Sequence, residues 1–497
     1  SFPRGDIGLD GDAAITIPVT RPGQKLIGAG TTDVTTYPTR GTVFKRLSGT
    51  GPMLTIATYT EGIEIAGICF DQNSLGGNAI KTGMHKGWLH DLVIHNQGGT
   101  SYGILETGVN LSTTDRITFS GTCYGGILLD NTAAIGYGAL YSSLNQIVFT
   151  QASAALSQYG ISAALSKGLT IGDFYVQGGK GIYLNNDIID ININNLCGEM
   201  DAANELLVVD ASTGAAIIGV FVRGGSVSQV TTSAGAVGFF RLTSAINMNV
   251  DGFRISDAVS AANRPYFLLN GVLGGSIKDV VVNNTSGNAH YCVSSTGTRS
   301  DQMVLDQIYT QGAGTVTNNV TLGGSTVSNS NVPLAFAAAS QTMTVKNVTG
   351  NVNTVNCSNG IVIEGCSDVT DAGGFASQVR FTGQQQEYTA TATGGTTAPT
   401  GLVQYSVNGN AVTIRVPAFS FTSNAATYTL TGGPAALRPA AQQQFLANAI
   451  DNGTTAAASV RMETSGVITF FRNIDTDSFT ASGTKGNRAF TATYLLY

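Results

Sequence analysis

Charge is scarce in this chain: 11% of its 497 residues carry it, and the net sum is only −6. Helices usually draw on Glu, Lys and Arg for their outer faces, so this composition starves them. No basic cluster occurs, which removes nucleic acid as a partner. No apolar run approaches the roughly 20 residues that span a bilayer, so membrane insertion is not expected. The six cysteines, Cys69, Cys123, Cys197, Cys292, Cys357 and Cys366, never fall at CxxC spacing. That disfavours a zinc or redox site and favours free, buried thiols made in a reducing cytoplasm. GxSxG, HExxH and P-loop motifs are also missing, so triad hydrolases, zincins and nucleotide enzymes lose support, and no cofactor is expected. The opening SFPRGDIGLDGD lacks the charged and apolar regions of a secretion signal. An extracellular role then calls for another route out, such as release within a virion.

What is present is a spaced series of short apolar strands. Strand ends fall at Phe70, Ile94, Phe119, Phe149, Val176, Leu196, Val222, Ile255, Val282 and Thr310, in steps of 24, 25, 30, 27, 20, 26, 33, 27 and 28 residues. Periods of that size without a helical signature mark a solenoid, each repeat being one turn of a parallel β-helix. A second column supports it: GILET, GILLD, GISAA, GIYLN, LLVVD, FFRLT, YFLLN and YCVSS align, ending at Thr107, Asp130, Ala164, Asn185, Asp210, Thr243, Asn270 and Ser295. Seven of those eight are Asp, Asn, Ser or Thr, which bend a chain by bonding their own backbone, so Asp130 and Asp210 are corner residues. Asp91, Asp173 and Asp279 recur three residues before strand ends and are assigned to turns as well.

Three parts emerge. Residues 1–45 hold AITIPV and QKLIGAG, two short strands about a Pro-Gly turn that cap the solenoid. Residues 46–385 form the repeat array, where the candidate site residues are expected. Residues 389–401, TATATGGTTAPTG, read as a linker. Within 386–497, VQYSV-NG-NAVTIRV alternates about Asn408-Gly409, a hairpin signal. ASVRM, GVITFF and AFTATYLLY complete an antiparallel domain. The fold class is therefore all-β: a right-handed parallel β-helix followed by a small antiparallel β-sandwich.

Removing the recurrent acids leaves a dense group, Asp187, Asp190, Glu199, Asp201 and Glu205, in NNDIIDININNLCGEMDAANE. Paired carboxylates are what glycoside hydrolysis requires: one protonates the leaving oxygen and the other activates water or attacks. Neighbouring rungs lie about 4.8 Å apart. Asp257 follows the Ile255 strand end much as Glu199 follows Leu196, two rungs on, so Glu199 or Asp201 with Asp257 fits the separation of an inverting pair, with Glu205 in reserve. Tyr183, Arg223, Arg241, Arg254, Arg264 and Tyr266 fall on the same middle rungs and are candidates for substrate binding, Arg through its forked donors and Tyr by stacking on a sugar face. His85, His90 and His95 flank the sole tryptophan, Trp88. The odd spacing of His90 and His95 puts them on opposite faces, so no metal site is expected. His290 near Arg299 offers a base and a cation for the alternative chemistry, β-elimination on an acidic polysaccharide.

The stretch GDAAITIPVTRPGQKLIGAG, with GTVFKRLSGTGPMLTI and IEIAGICFDQN, resembles the start of bacteriophage tailspikes of the pectate-lyase-like parallel β-helix superfamily. The run YSVNGNAVTIRVPAFSFTSNAATYTLTGGPAALRPA is similar to the small β-sandwich that ends many phage spikes and fibres, which implies trimerisation or carbohydrate binding for residues 386–497. The resemblance implies a homotrimer on the virion tail that binds, and usually depolymerises, bacterial capsule or O-antigen, acting outside the cell through Asp and Glu. It shares no local catalytic motif from which roles carry over. The usual attachment domain is not evident, which implies a longer spike joined to the phage tail or baseplate. A non-catalytic adhesin of the tail is the rival reading.

Overall fold

The computed structural model describes the chain except residues 1, 3, 12–14, 19–21, 31–40, 131–137, 151–157, 202–203, 213, 215, 230–237, 260–262, 337–339, 342, 354–356, 360, 367, 371–378, 383–385, 409–410 and 497; side chains at 341, 357–359, 368–370, 379–382, 386, 408 and 436 are likewise left aside. Among the described residues the only helical element is a 3-10 turn, Ala435–Leu437. The chain divides into two compact units, Ser1–Thr321 and Leu322–Tyr497.

The first unit is a parallel β-helix. Each middle rung contributes a short strand to one parallel sheet, as in Lys180–Asn185, Leu207–Asp210 and Phe240–Thr243, and a long strand to another, as in Ile188–Met200, Ile217–Gln229 and Ile246–Asp257. The long strands are not straight. In register down the stack, Asp91, Arg116, Gln146, Asp173, Asn195, Gly224, Gly252, Asp279 and Gln307 all have positive φ. A second such file runs through Asp190, Gly219, Asn247, Gly274 and Gln302. A left-handed residue inside a strand bends it and resets which side chains face inward, and Asp, Asn and Gly tolerate that conformation best. Asp91, Asp173 and Asp279 are thus corners, as expected, and so are Asp187 (φ 50°) and Asp190 (φ 56°). Asp210 accepts from the Ser212 backbone N–H at 3.0 Å, the side-chain turn foreseen for it.

The inward column reads Phe70, Ile94, Phe119, Phe149, Val176, Gly198, Val227, Ile255, Val282 and Thr310. Leu196 and Val222 were placed in it from the sequence in error, because Gly198 leaves no apolar letter there. Like residues stack on like: Phe119 meets Phe149 edge-on at 5.9 Å. The glycines of GILLD and GIYLN are enforced by backbone proximity, since a Cβ on Gly126 would lie 2.1 Å from the Gly160 carbonyl and one on Gly181 2.0 Å from that of Leu206. Among the cysteines whose side chains are described, all are free; Cys69, Cys123, Cys292 and Cys366 are buried.

Among the ionisable side chains that point into this core is Glu106. It is in register with Thr82 and Leu129 of the inward file and accepts from Thr114 Oγ1 at 2.7 Å. Burial pushes its carboxyl up to about 7. A glutamate in the unfolded chain ionises near 4.5, so stability is fully present below that pH and falls as pH rises through 7, by about 3 kcal/mol at 1.36 kcal/mol per unit. Glu106→Gln is therefore expected to melt higher than the parent at pH 8, with the gap closing towards pH 4.5; parallel melting curves at both pH values would contradict an inward, neutral Glu106.

Residues 1–45 form more than a cap: Gly5–Leu9 pairs in parallel with Thr42–Arg46, and Ile15–Ile17 with Leu54–Ile56, so the solenoid already begins there. In the second unit short parallel strands such as Thr326–Ser328 and Thr344–Lys346 stack in register. An antiparallel ten-stranded sheet follows, starting at Gln386–Thr393. Of the expected linker 389–401, residues 389–393 lie instead in the strand Gln386–Thr393, which forms a hairpin with Thr400–Asn408. Ala390 and Ala392 are fully buried, and the Gly394 carbonyl accepts from the buried Lys485 ammonium at 3.2 Å. Strands Thr400–Asn408 and Ala411–Val416 pair as the Asn-Gly signal implied, though Gly409 itself lies outside the described residues.

Candidate functional site

Past the corner at Asp173 and Asn195, the long strands present two outward files. One runs Gln177, Glu199, Ser228, Ser256, Asn283, Gln311; the other, two residues earlier, runs Tyr175, Cys197, Ser226, Arg254, Val281, Tyr309. Side chains two apart on a strand share a face. Together these files line a groove of about 350 Å³. Among its described lining residues Glu199 is the one carboxylate and Arg254 the one cation. Gln177 Nε2 donates to Glu199 Oε2 at 3.2 Å. The Tyr175 phenol is pushed up by burial and then by the Glu199 carboxylate beside it. Asp201, half-buried, follows the inward Met200 at the strand's end.

Asp257 is not in that groove. Its register partners are Met200 and Gln229, whereas Glu199 pairs with Ser228 and so aligns with Ser256. The one-residue difference turns Asp257 inward, and it is fully buried. Arg264 and Tyr266, expected at the substrate, join it inside, at 1% and 0% exposure. Arg264 donates to Gln229 Oε1 and, at 3.2 Å, to the Asn204 carbonyl. Its guanidinium lies 4.1 Å over Phe239, which stacks on Tyr266 at 5.7 Å. The Val259 N–H donates to Asp257 Oδ1 at 3.3 Å. Burial, against the pull of Asp257, brings Arg264 down to about 10, and burial with the neighbouring Asp257 drives the Tyr266 phenol far up. His290 is interior too, its Nε2 4.0 Å from Asp257 Oδ2 and 2.9 Å from Ser286 Oγ. Arg299 is engaged by Asp301 at 2.7 Å. The base and cation considered for β-elimination therefore do not meet at a surface.

Glu205, Tyr183 and Arg241 gather on the outer face of the short-strand sheet. Tyr159 Oη donates to Glu205 Oε2 at 2.9 Å, and Arg241 Nε to Oε1 at 2.6 Å. Arg241 also reaches Asp210 at 3.3 Å, and Tyr183 stacks on Tyr159 at 4.9 Å. With both oxygens of a 6%-exposed carboxylate engaged, Glu205 anchors its wall and is poorly placed to exchange protons. Arg223 is outward on the middle segment of the long strands, 6.0 Å from the Phe221 ring.

Sequence reading missed a larger groove of about 770 Å³ on that middle segment of the earlier rungs. Its floor is two outward files: Trp88, Thr113, Ser143, Thr170, and Asp115, Asn145, Gly172, Asn194. At one end Trp88 stacks on His90 at 3.7 Å. The imidazole bridges Asp91 at 2.7 Å and Glu64 at 3.3 Å. Arg116 binds Asp91 at 2.6 Å, holding that carboxyl down to about 2, and also Asp115. His90 and His95 face the same way, not opposite ways, because the left-handed Asp91 between them flips the alternation. Among the described residues no three His, Cys, Asp or Glu side chains are grouped to hold a metal ion, and no helix is long and apolar enough to cross a membrane.

Fold and surface together define a parallel β-helix protein with lateral polar grooves. No family model and no curated protein matches the sequence. Similar solved structures include the A-module of the mannuronan C-5 epimerase AlgE6 of Azotobacter vinelandii, at 13% identity over 67% of this chain and 89% of that one, TM-score 0.47. The Dettilon tailspike protein is 14% identical over 91% and 88%, TM-score 0.35. A mutant tailspike protein of E. coli bacteriophage HK620, solved with a hexasaccharide, is 11% identical over 91% and 79%, TM-score 0.42. The β-helical architecture described above rests on the strand register and not on these likenesses.

Proposed function

We propose that this chain is the polysaccharide-binding shaft of a phage tailspike, which acts as a homotrimer on the virion tail and cuts bacterial capsule or O-antigen internally by glycoside hydrolysis. The observation that carries the reading is the outward file around Glu199: one carboxylate set among Gln, Ser and Asn side chains, with Tyr175 and Arg254 alongside. Such a surface offers hydrogen bonds to sugar hydroxyls, a ring to stack on a pyranose and a forked cation for a hydroxyl or sugar carboxylate.

With Asp257 interior, Asp201 is the partner for Glu199. Asp201 lies two residues on, half-buried just past the end of the strand Ile188–Met200, and supplies the second carboxylate that glycoside hydrolysis requires. Gln177 Nε2, donating to Glu199 Oε2, orients that carboxylate, which takes the proton of the attacking water. Asp201 gives its proton to the departing glycosidic oxygen, and water adds across the broken bond. The rival reading, a tail adhesin, is favoured by one fact: no second carboxylate lines the groove itself among its described residues.

A panel of purified bacterial capsular and O-antigen polysaccharides, assayed for retention, new reducing ends and product mass, tests both. Saturated fragments at whole repeat units are expected. Retention without new ends would mean an adhesin, an unsaturated product would mean a lyase, and retention of nothing would sink the reading.

A further inference from the structure

We infer that the Trp88 groove is a second glycan-binding site, taking an uncharged pyranose segment of the same polysaccharide that enters the Glu199 groove; this rests on the reading above. The chain has a single tryptophan, and it is 40% exposed at the end of the larger of these two grooves, its ring backed by His90 at 3.7 Å. A rigid indole held flat and open to solvent is the surface on which the apolar face of a sugar ring packs. Down the groove the floor is built of Thr113, Ser143, Thr170, Asn145 and Asn194, hydroxyls and amides that pair with sugar hydroxyls.

The charges there argue for a neutral ligand. Asp115 is bound by Arg116 and, at 3.2 Å, by Asn145 Nδ2. Asp173 accepts from Asn195 Nδ2 at 2.7 Å. Lys86 is the one cation against two carboxylates, Asp115 and Asp173, among the described lining residues, so the balance of charge there disfavours an acidic polymer. From the rung of Trp88 to that of Asn194 is four strand spacings, roughly 19 Å, which suits an oligosaccharide and not a single sugar.

The two grooves also adjoin. Thr170 and Tyr175, or Asn194 and Cys197, stand on the same two rungs, on either side of the corner marked by Asp173 and Asn195. A chain lying along the first groove reaches the second by crossing that corner. The Trp88 end is then a remote subsite that holds long chains, and binding through linked sites multiplies affinity without new chemistry.

The sole tryptophan makes the test direct, because its emission reports this site alone. The polysaccharide retained in the panel is titrated into the parent and into Glu199→Gln, and a saturable emission change is expected in both. Trp88→Ala and Ser143→Arg, each checked for an unchanged far-ultraviolet dichroism spectrum, are expected to bind the long polysaccharide roughly tenfold more weakly, the worth of one good ring contact. Retention of the polysaccharide with no emission change, or full-strength binding by both variants, overturns the second site and leaves the proposed function standing. Retention of no polysaccharide at all overturns both.

Discussion

Glu199→Gln is expected to yield a folded protein that still retains its polysaccharide but releases reducing ends about 10²- to 10⁴-fold more slowly, the range general acid–base groups contribute. The amide has the shape of the carboxylate and keeps a partner in Gln177, but it takes no proton from water. Glu199 sits at an outward, half-exposed position, where substitutions usually change stability by no more than about 0.5 kcal/mol. Activity and melting temperature should therefore separate cleanly. Asp201→Asn is expected to behave alike, and rate measurements at several pH values would show which arm of the profile each removes. Undiminished turnover by Glu199→Gln would move the chemistry elsewhere.

The architecture was legible because a β-helix writes its core periodically. Most apolar strand ends chosen from the sequence do stack, from Phe70 to Val176 and again from Ile255 to Thr310. The site was less legible, because side-chain direction depends on parity and parity is reset at each left-handed residue. Glu199 follows Gly198 by one position and Asp257 follows Ile255 by two. Residue types alone make those offsets look alike, but they point to opposite sides of the wall. The same effect hid the Trp88 groove: a flip at Asp91 is invisible in an alternation count. In the second unit the TATAT segment looked like a linker because its buried positions, Ala390 and Ala392, are small.

Arg264→Ala is expected to destabilise the first unit by about 3–5 kcal/mol, the cost of leaving a buried ionic partner uncompensated. Three losses coincide: the charge facing Asp257, the donors to Gln229 Oε1 and the Asn204 carbonyl, and the cation over the Phe239 ring. Arg264→Met would restore the packing alone. Because an ion pair recovers its desolvation cost poorly, pairing Arg264→Met with Asp257→Leu is expected to regain much of the stability that either change loses by itself. None of these positions reaches the outward files, so whatever fraction folds should bind polysaccharide with the parent's affinity. A substrate-binding Arg264 predicts the reverse, weakened binding at an unchanged melting temperature. Thermal melts and affinities measured on one set of variants thus decide whether this knot of charge holds the solenoid's wall together or serves its surface.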